Sequence, residues 1–429
     1  MLQAINGTFI ALSGPFGWVA GSLALVATVL LVFTMPRIPA LRSWKWRGLI
    51  LVGGLAGAAL LAFPYALNAS RVRSPLGPET VQRASLILPV PGEEGRSIGM
   101  DLWFPASGPA VAGEELTGCG GLLGLPLADK EPRSLLLYMA HFKGTRNDNA
   151  SRMEVLASHG YIIAALDDIG ADHDGLAASA AEAASWVHEW PTQMLPEFEE
   201  VVGYRMIRAG MAARKGLHAL DSLAACAASD PASPWSKAVD YEQVGFMGFS
   251  FGGAAASEAA ALDPRIAAVA NIDGSLYGRS FFEGFDAPNL YLLNDEPLKG
   301  PDDFGSRDSF AKLKARFKAR DLQQIAELAA RPGSGGYRIN GTEHASFTEA
   351  LFDAHASRRW LFNDPIASFD TTNAYLLDFF DMHLRGTTPQ LIGQPTTDNP
   401  KVDSFAELGL VPGGDFGWPD AGKGPAAQD

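Results

Sequence analysis

Apolar runs of strand length recur along the chain beyond residue 80: ASLILPV (84–90), IGMDLWFP (98–105), SLLLYMA (134–140), YIIAALD (161–167), VGFMGF (244–249), IAAVANID (266–273), NLYLLND (289–295) and GYRIN (336–340). The later runs are continuous rather than alternating, the pattern of parallel strands covered on both faces. Helical periodicity fills the intervals at Ser151–His159, Glu197–Ala228, Gly252–Leu262 and Thr371–Arg385. Strand and helix alternation of this kind predicts an α/β domain over 80–390, with a mostly parallel sheet and crossover helices on both faces. No internal repeat is present. Beyond Gly386 the Pro- and Gly-rich sequence reads as a C-terminal tail, 391–429.

The first 70 residues follow another pattern. Two uncharged runs of 20 residues, 16–35 and 48–67, are each long enough to cross a bilayer core of ~30 Å as a helix. A signal peptide would have a basic start and one short apolar run, and a buried core helix is the other alternative; two long runs after an uncharged start favour transmembrane helices. Arg37, Arg42, Lys45 and Arg47 lie between the runs, so the positive-inside rule places that loop in the cytoplasm and the body outside it, against a weaker pull from Arg71, Arg73 and Arg83. The expected protein is a multi-pass membrane protein with an extracytoplasmic catalytic domain.

Charge and composition narrow the function. Four of the 34 basic residues and none of the 48 acidic ones fall in the first 70 positions, which leaves an acidic body and argues against a nucleic-acid partner. Cys119 and Cys226 allow at most a single disulfide and cannot build a cysteine metal site, and they read as two unpaired thiols. The loop LDDIGADHDG (166–175) lacks the ligand spacing of a metal site and reads as a solvated loop. The sequence specifies no oligomeric state.

The pattern G-x-S-x-G occurs twice, around Ser97 and around Ser250. Ser97 follows the turn-forming PGEEG and precedes a strand, so it is a turn serine. Ser250 ends the apolar run VGFMGF and opens an Ala-rich helix, the sharp strand-to-helix elbow that exposes a nucleophilic hydroxyl. A serine nucleophile needs a base and an orienting acid. His344, in GTEHASF after the last strand, falls at the carboxyl end of the sheet, where it can reach Ser250. Asp273 and Asp295 each end a strand at that face. One oxyanion N–H is expected from Phe251 and a second from the loop after SLLLYMA. Segments 118–128 and 310–328 are candidates for a cap, although the apolar stripe of the second also suits packing on the domain.

Together GFSFGG at the serine, NIDGS one strand later, INGTEHASFTEALF around the histidine, and AHFKG with LASHGYIIAALD upstream resemble the platelet-activating factor acetylhydrolase family of α/β-hydrolases, over about 84–385. The resemblance implies Asp273 as the acid and Asp295 as the alternative. It implies Lys143 as the second oxyanion donor, with Phe142 standing where the family carries glycine. It implies lipid-like or short-chain carboxylic esters as substrates, cleaved through an acyl-enzyme without a cofactor or metal. A dienelactone-hydrolase-like or polyester-cleaving enzyme is the rival within enzymes, and a catalytically silent binding module on a membrane anchor the rival outside them.

Overall fold

The computed structural model describes residues 23–28, 50–58, 76–108, 115–128, 133–169, 195–296, 309–349, 365–397, 399 and 401–414. By its contacts the chain divides into Met1–Arg73 with Thr348–Phe369, and Ser74–Phe347 with Asp370–Asp429. The second unit carries a sheet of ten strands: β1 (Val81–Pro89), β2 (Ser97–Pro105), β3 (Leu116–Thr117), β4 (Arg133–Met139), β5 (Ile162–Leu166), β6 (Val239–Phe249), β7 (Ile266–Ile272), β8 (Asn289–Leu293), β9 (Gly335–Ile339) and β10 (Val402–Ser404). Their order is β10-β9-β8-β7-β6-β4-β5-β2-β1-β3. The six strands β5, β4, β6, β7, β8 and β9 run parallel, while β2 joins β5 and β10 joins β9 antiparallel. Strand order reverses between β4 and β6, so their carboxyl ends border the crevice where ligands bind in such sheets.

The continuous apolar runs pay two faces at once. In β4, Leu135, Leu137 and Met139 enter one core while Leu136 and Tyr138 enter the other; in β5, Ile162, Ala164 and Leu166 oppose Ile163 and Ala165. The first face is covered by α1 (Gly118–Leu123), α3 (Leu195–Ala228) and α5 (Phe251–Leu262), and the second by α2 (Ala150–Ser158) and α8 (Pro365–Arg385). Shorter helices α4 (Pro234–Lys237) and α6 (Arg279–Phe282), with the longer α7 (Ser309–Ala329), complete the elements named below.

Several expectations change. The segment after Gly386 is not simply a tail, because β10 pairs with β9 from Val402↔Ile339 to Ser404↔Tyr337 and Arg338 bonds Asp403. A three-residue edge strand is too short to show periodicity. Cys119 and Cys226 form a disulfide rather than two thiols, because α1 packs against α3; that contact spans 107 residues and leaves no local signal. Neither cap candidate behaves as a cap: α1 lies on β1 and α3, and α7 packs on the domain through Phe317, which stacks on Tyr277 and Phe281. The apolar runs 16–35 and 48–67 fall largely outside the described residues. Within them 23–28 and 50–58 are helical and approach closely, since a Cβ on Gly54 would sit 2.2 Å from the Thr28 side chain. Among the described residues no helix is long and apolar enough to cross a membrane.

Candidate active site

Ser250 sits between β6 and α5 with φ 55° and ψ −118°, a left-handed conformation that a non-glycine residue adopts only when its surroundings enforce it. The enforcement is visible. Ser250 N donates to Ile272 O (2.7 Å), and Gly253 N donates back to Ser250 O (3.0 Å). A Cβ on Gly248 would lie 2.2 Å from the Gly252 carbonyl group, and one on Gly252 would lie 2.0 Å from Met139 O. The glycines of the motif therefore let the helix start press against the end of β4, which holds the hydroxyl at the crevice.

His344 opens a 3-10 turn, His344–Phe347, five residues after β9. Its Nε2 lies 2.9 Å from Ser250 Oγ, and its Nδ1 lies 2.5 Å from Asp273 Oδ2. With a carboxylate at Nδ1, the proton belongs on Nδ1 and Nε2 is free to accept from the serine hydroxyl. The imidazole also packs on Phe249, with ring centroids 4.8 Å apart.

Asp273 is likewise left-handed, with φ 58°. Its main-chain N donates to Leu292 O (2.7 Å), and Asn294 donates to its carboxylate twice, from N to Oδ1 (3.0 Å) and from Nδ2 to Oδ2 (2.7 Å). Asn294 escaped the sequence reading because it stands beside Asp295, the more conspicuous residue; its signal was a second polar side chain at the same strand end. Behind Asp273, Asp321 of α7 is fully buried and accepts from Leu276 N (2.7 Å), which fixes the loop that follows Asp273.

Asp295 does not meet the histidine ring. Its Oδ2 accepts from Gly341 N (2.8 Å), its N donates to Thr342 O (3.0 Å), and it lies 3.4 Å from Arg338 Nε. It ties the end of β8 to the loop that carries His344.

The oxyanion side is arranged differently from the expectation. Phe251 is the first residue of α5, where an N–H has no intrahelical acceptor, so this amide is available beside Ser250. Lys143 N, by contrast, donates to Asp168 Oδ2 at 2.6 Å. Asp167 and Asp168 are not solvated: Asp167 Oδ1 accepts from Arg146 N (2.8 Å), and Asp168 is buried against the guanidinium of Arg208. Burial pushes the Asp168 carboxyl up, against the pull of the Lys143 amide and Arg208. His173 and residues 170–175 lie outside the described residues. His141 bonds Asp148 at 3.0 Å, which raises its pKa despite partial burial and keeps it engaged away from Ser250. No group of three or more His, Cys, Asp or Glu is disposed to hold a metal ion among the described residues.

A chain of aromatic contacts runs from the loop after β4 through the first residue of α5 to α7. Phe142 meets Phe251 edge to face at 6.2 Å, Phe251 meets Tyr277 at 5.9 Å, and Tyr277 stacks on Phe317 at 5.6 Å. Phe142 is half exposed.

No family model and no curated protein matches this chain. Among solved structures, the chain is similar to a ferulic acid esterase from Streptomyces cinnamoneus, at 20% identity and a TM-score of 0.46, covering 78% of this chain and 97% of that one.

Proposed function

We propose that this protein is a serine-dependent carboxylic ester hydrolase of the α/β-hydrolase type. The observation that carries the reading is one relay: Ser250 Oγ 2.9 Å from His344 Nε2, and His344 Nδ1 2.5 Å from Asp273. In the reaction Ser250 Oγ attacks the ester carbonyl while His344 Nε2 takes its proton. Asp273 holds Nδ1–H and stabilises the imidazolium that forms. The Phe251 N–H, preorganised by the elbow, faces the developing oxyanion. Collapse expels the alcohol, which leaves with the proton from Nε2, and water activated by the same nitrogen then releases the acid from Ser250. No cofactor enters.

The substrates are lipid-like or short-chain esters. The half-exposed ring of Phe142, edge to face with Phe251 beside Ser250, supports an apolar acyl or alcohol group in the substrate, and resemblance to the acetylhydrolase family points the same way. The body acts outside the cytoplasm on a membrane anchor. The Cys119–Cys226 disulfide supports an oxidising compartment, and Leu23, Val26 and Val52 leave apolar side chains exposed on the N-terminal helical stretches, as lipid-facing residues would be.

The test is a fluorophosphonate probe together with p-nitrophenyl esters of rising acyl length and a phospholipid series. The proposal expects covalent labelling abolished by Ser250→Ala and turnover of short acyl or lipid esters. A chain that neither labels nor hydrolyses any of them is the binding module instead.

A further inference from the structure

The loop after β4 closes as a four-residue turn, with Gly144 N donating to His141 O at 2.7 Å. Its third residue, Lys143, has φ 61°. A positive φ at that position marks a type II turn and favours glycine there. Type I and type II turns differ by rotation of the central peptide plane, here Phe142–Lys143, through about 180°. That rotation would leave the Gly144-to-His141 bond in place and return Lys143 to a negative φ. It would also reverse the direction of the Lys143 N–H.

In this structure that N–H is committed to Asp168 Oδ2 at 2.6 Å, a short, charge-assisted bond to a carboxylate with no exposure to solvent. It is therefore not free for an oxyanion on Ser250, which forms at the open crevice. Asp168 is itself fixed: its N donates to Gly144 O (3.1 Å), and Arg208 binds both its Oδ2 and Ile169 O. Arg208 also lies over the rings of Phe142 (4.7 Å) and Phe251 (5.6 Å), so it touches both sides of the oxyanion site. Its Nε is buried and has no hydrogen-bond partner among the described residues. The rotation would exchange the 3.0 Å contact of Phe142 O with His141 Nδ1 for a place on the Asp168 side, where Arg208 Nε is a donor without a partner among the described residues.

We propose that Asp168, clamped by Arg208, is a positioning residue that withholds the Lys143 amide in the resting enzyme, and that the oxyanion hole is completed when the Phe142–Lys143 peptide turns over into the type I form. This rests on the serine-hydrolase reading above. It assigns Asp168 and Arg208 a role in turnover that acts through the backbone of Lys143 and not through contact with substrate.

The test uses the exposed Lys143 side chain, whose replacement changes turn preference with little effect on the core. Lys143→Gly relieves the positive φ and favours the resting turn; Lys143→Val disfavours it. The inference expects kcat about five-fold lower for Lys143→Gly and about five-fold higher for Lys143→Val, with KM within two-fold and Tm moving the opposite way, slightly higher for the glycine variant and slightly lower for the valine variant, because the same strain is relieved or increased in the resting fold. Affinity for a boronate that mimics the tetrahedral intermediate should follow kcat. Asp168→Asn, which keeps an acceptor but loses its charge, should move both in the direction of Lys143→Val. If Lys143→Gly is as fast as the parent, or Lys143→Val is slower, in an enzyme that still depends on Ser250, this inference is overturned alone. Activity that survives Ser250→Ala overturns the serine-hydrolase reading and this inference with it.

Discussion

The two sides of the candidate site are built by different means. On the acid–histidine side, each group stands at the end of a parallel strand and is held by the strand next to it: Ser250 N bonds Ile272 O, Asp273 N bonds Leu292 O, and Asp295 bonds the loop after β9. Adjacent carboxyl ends bring serine, acid and histidine together in register. On the oxyanion side, the loop after β4 rests on charges from β2, β5 and α3. Arg146 lies between Asp101 and Asp167, and Arg208 holds Asp168. One side is ordered by the sheet itself. The other is ordered by buried ion pairs, whose geometry has to offset the cost of desolvation. The carboxyl ends of paired strands keep their backbone positions when one side chain is replaced, whereas an ion network with one partner removed leaves an uncompensated charge.

Replacing the proposed nucleophile breaks the first side most completely. Ser250→Ala should lower kcat by roughly 10⁶-fold, while Ser97→Ala, at the start of β2, should leave it within a factor of about two. Similar losses in both would remove the distinction between elbow and turn. Next comes the acid. Asp273→Asn should cost about 10⁴-fold in kcat with circular dichroism unchanged, because an amide leaves the imidazole in the wrong tautomer. Asp295→Asn should cost no more than about ten-fold, since this carboxylate accepts from Gly341 N and not from the histidine. A reversed ranking would move the acid one strand later.

The disulfide anchors α3 far from the oxyanion side. Cys226 lies in the last turn of α3, eighteen positions beyond Arg208 and therefore about 27 Å along the helix. Replacing Cys119 and Cys226 by serine should lower stability by up to ~4–5 kcal/mol in the chain-entropy account, read as a lower denaturation midpoint, with kcat at low temperature unchanged. A parallel loss of kcat would mean that the oxyanion side depends on the anchoring of the whole helix and not on Arg208 and Asp168 locally.

The smallest effect concerns the helix behind the nucleophile. Glu258 of α5 is buried and accepts from Ser280 N (2.9 Å), and burial raises its pKa to about 7. A carboxyl whose folded pKa lies above its unfolded value of 4.5 contributes stability that is complete below pH 4.5 and is lost as pH rises toward 7. Glu258→Gln should flatten that part of the stability profile, by an amount on the order of 3 kcal/mol or less. Denaturant midpoints at several pH values from 4 to 8 would show it; an unchanged slope contradicts the assignment.

Legibility follows the same division. The runs that became β4 to β9 were visible because a strand buried on both faces must be apolar throughout, and the elbow was visible because glycines crowd a tight turn. Ser250, His344 and Asp273 each follow a strand, so position along the chain translated into position in space. The roles of Asp168 and Arg208 were not visible: they lie 40 residues apart, and a pair of aspartates in a polar loop has the same composition whether solvated or buried. Cys119 and Cys226 were misread for the same reason, as was β10, whose three residues pair with a strand more than 60 positions earlier.

In the proposed mechanism Ser250 is a nucleophile activated by His344. Reaction of the purified protein with a fluorophosphonate, followed by mass mapping of the modified peptide, tests it most directly. One adduct is expected, on Ser250, formed rapidly in the parent and at least a hundred-fold more slowly in His344→Ala. An adduct on another serine, or labelling of Ser250 at equal rates with and without the imidazole, would contradict it.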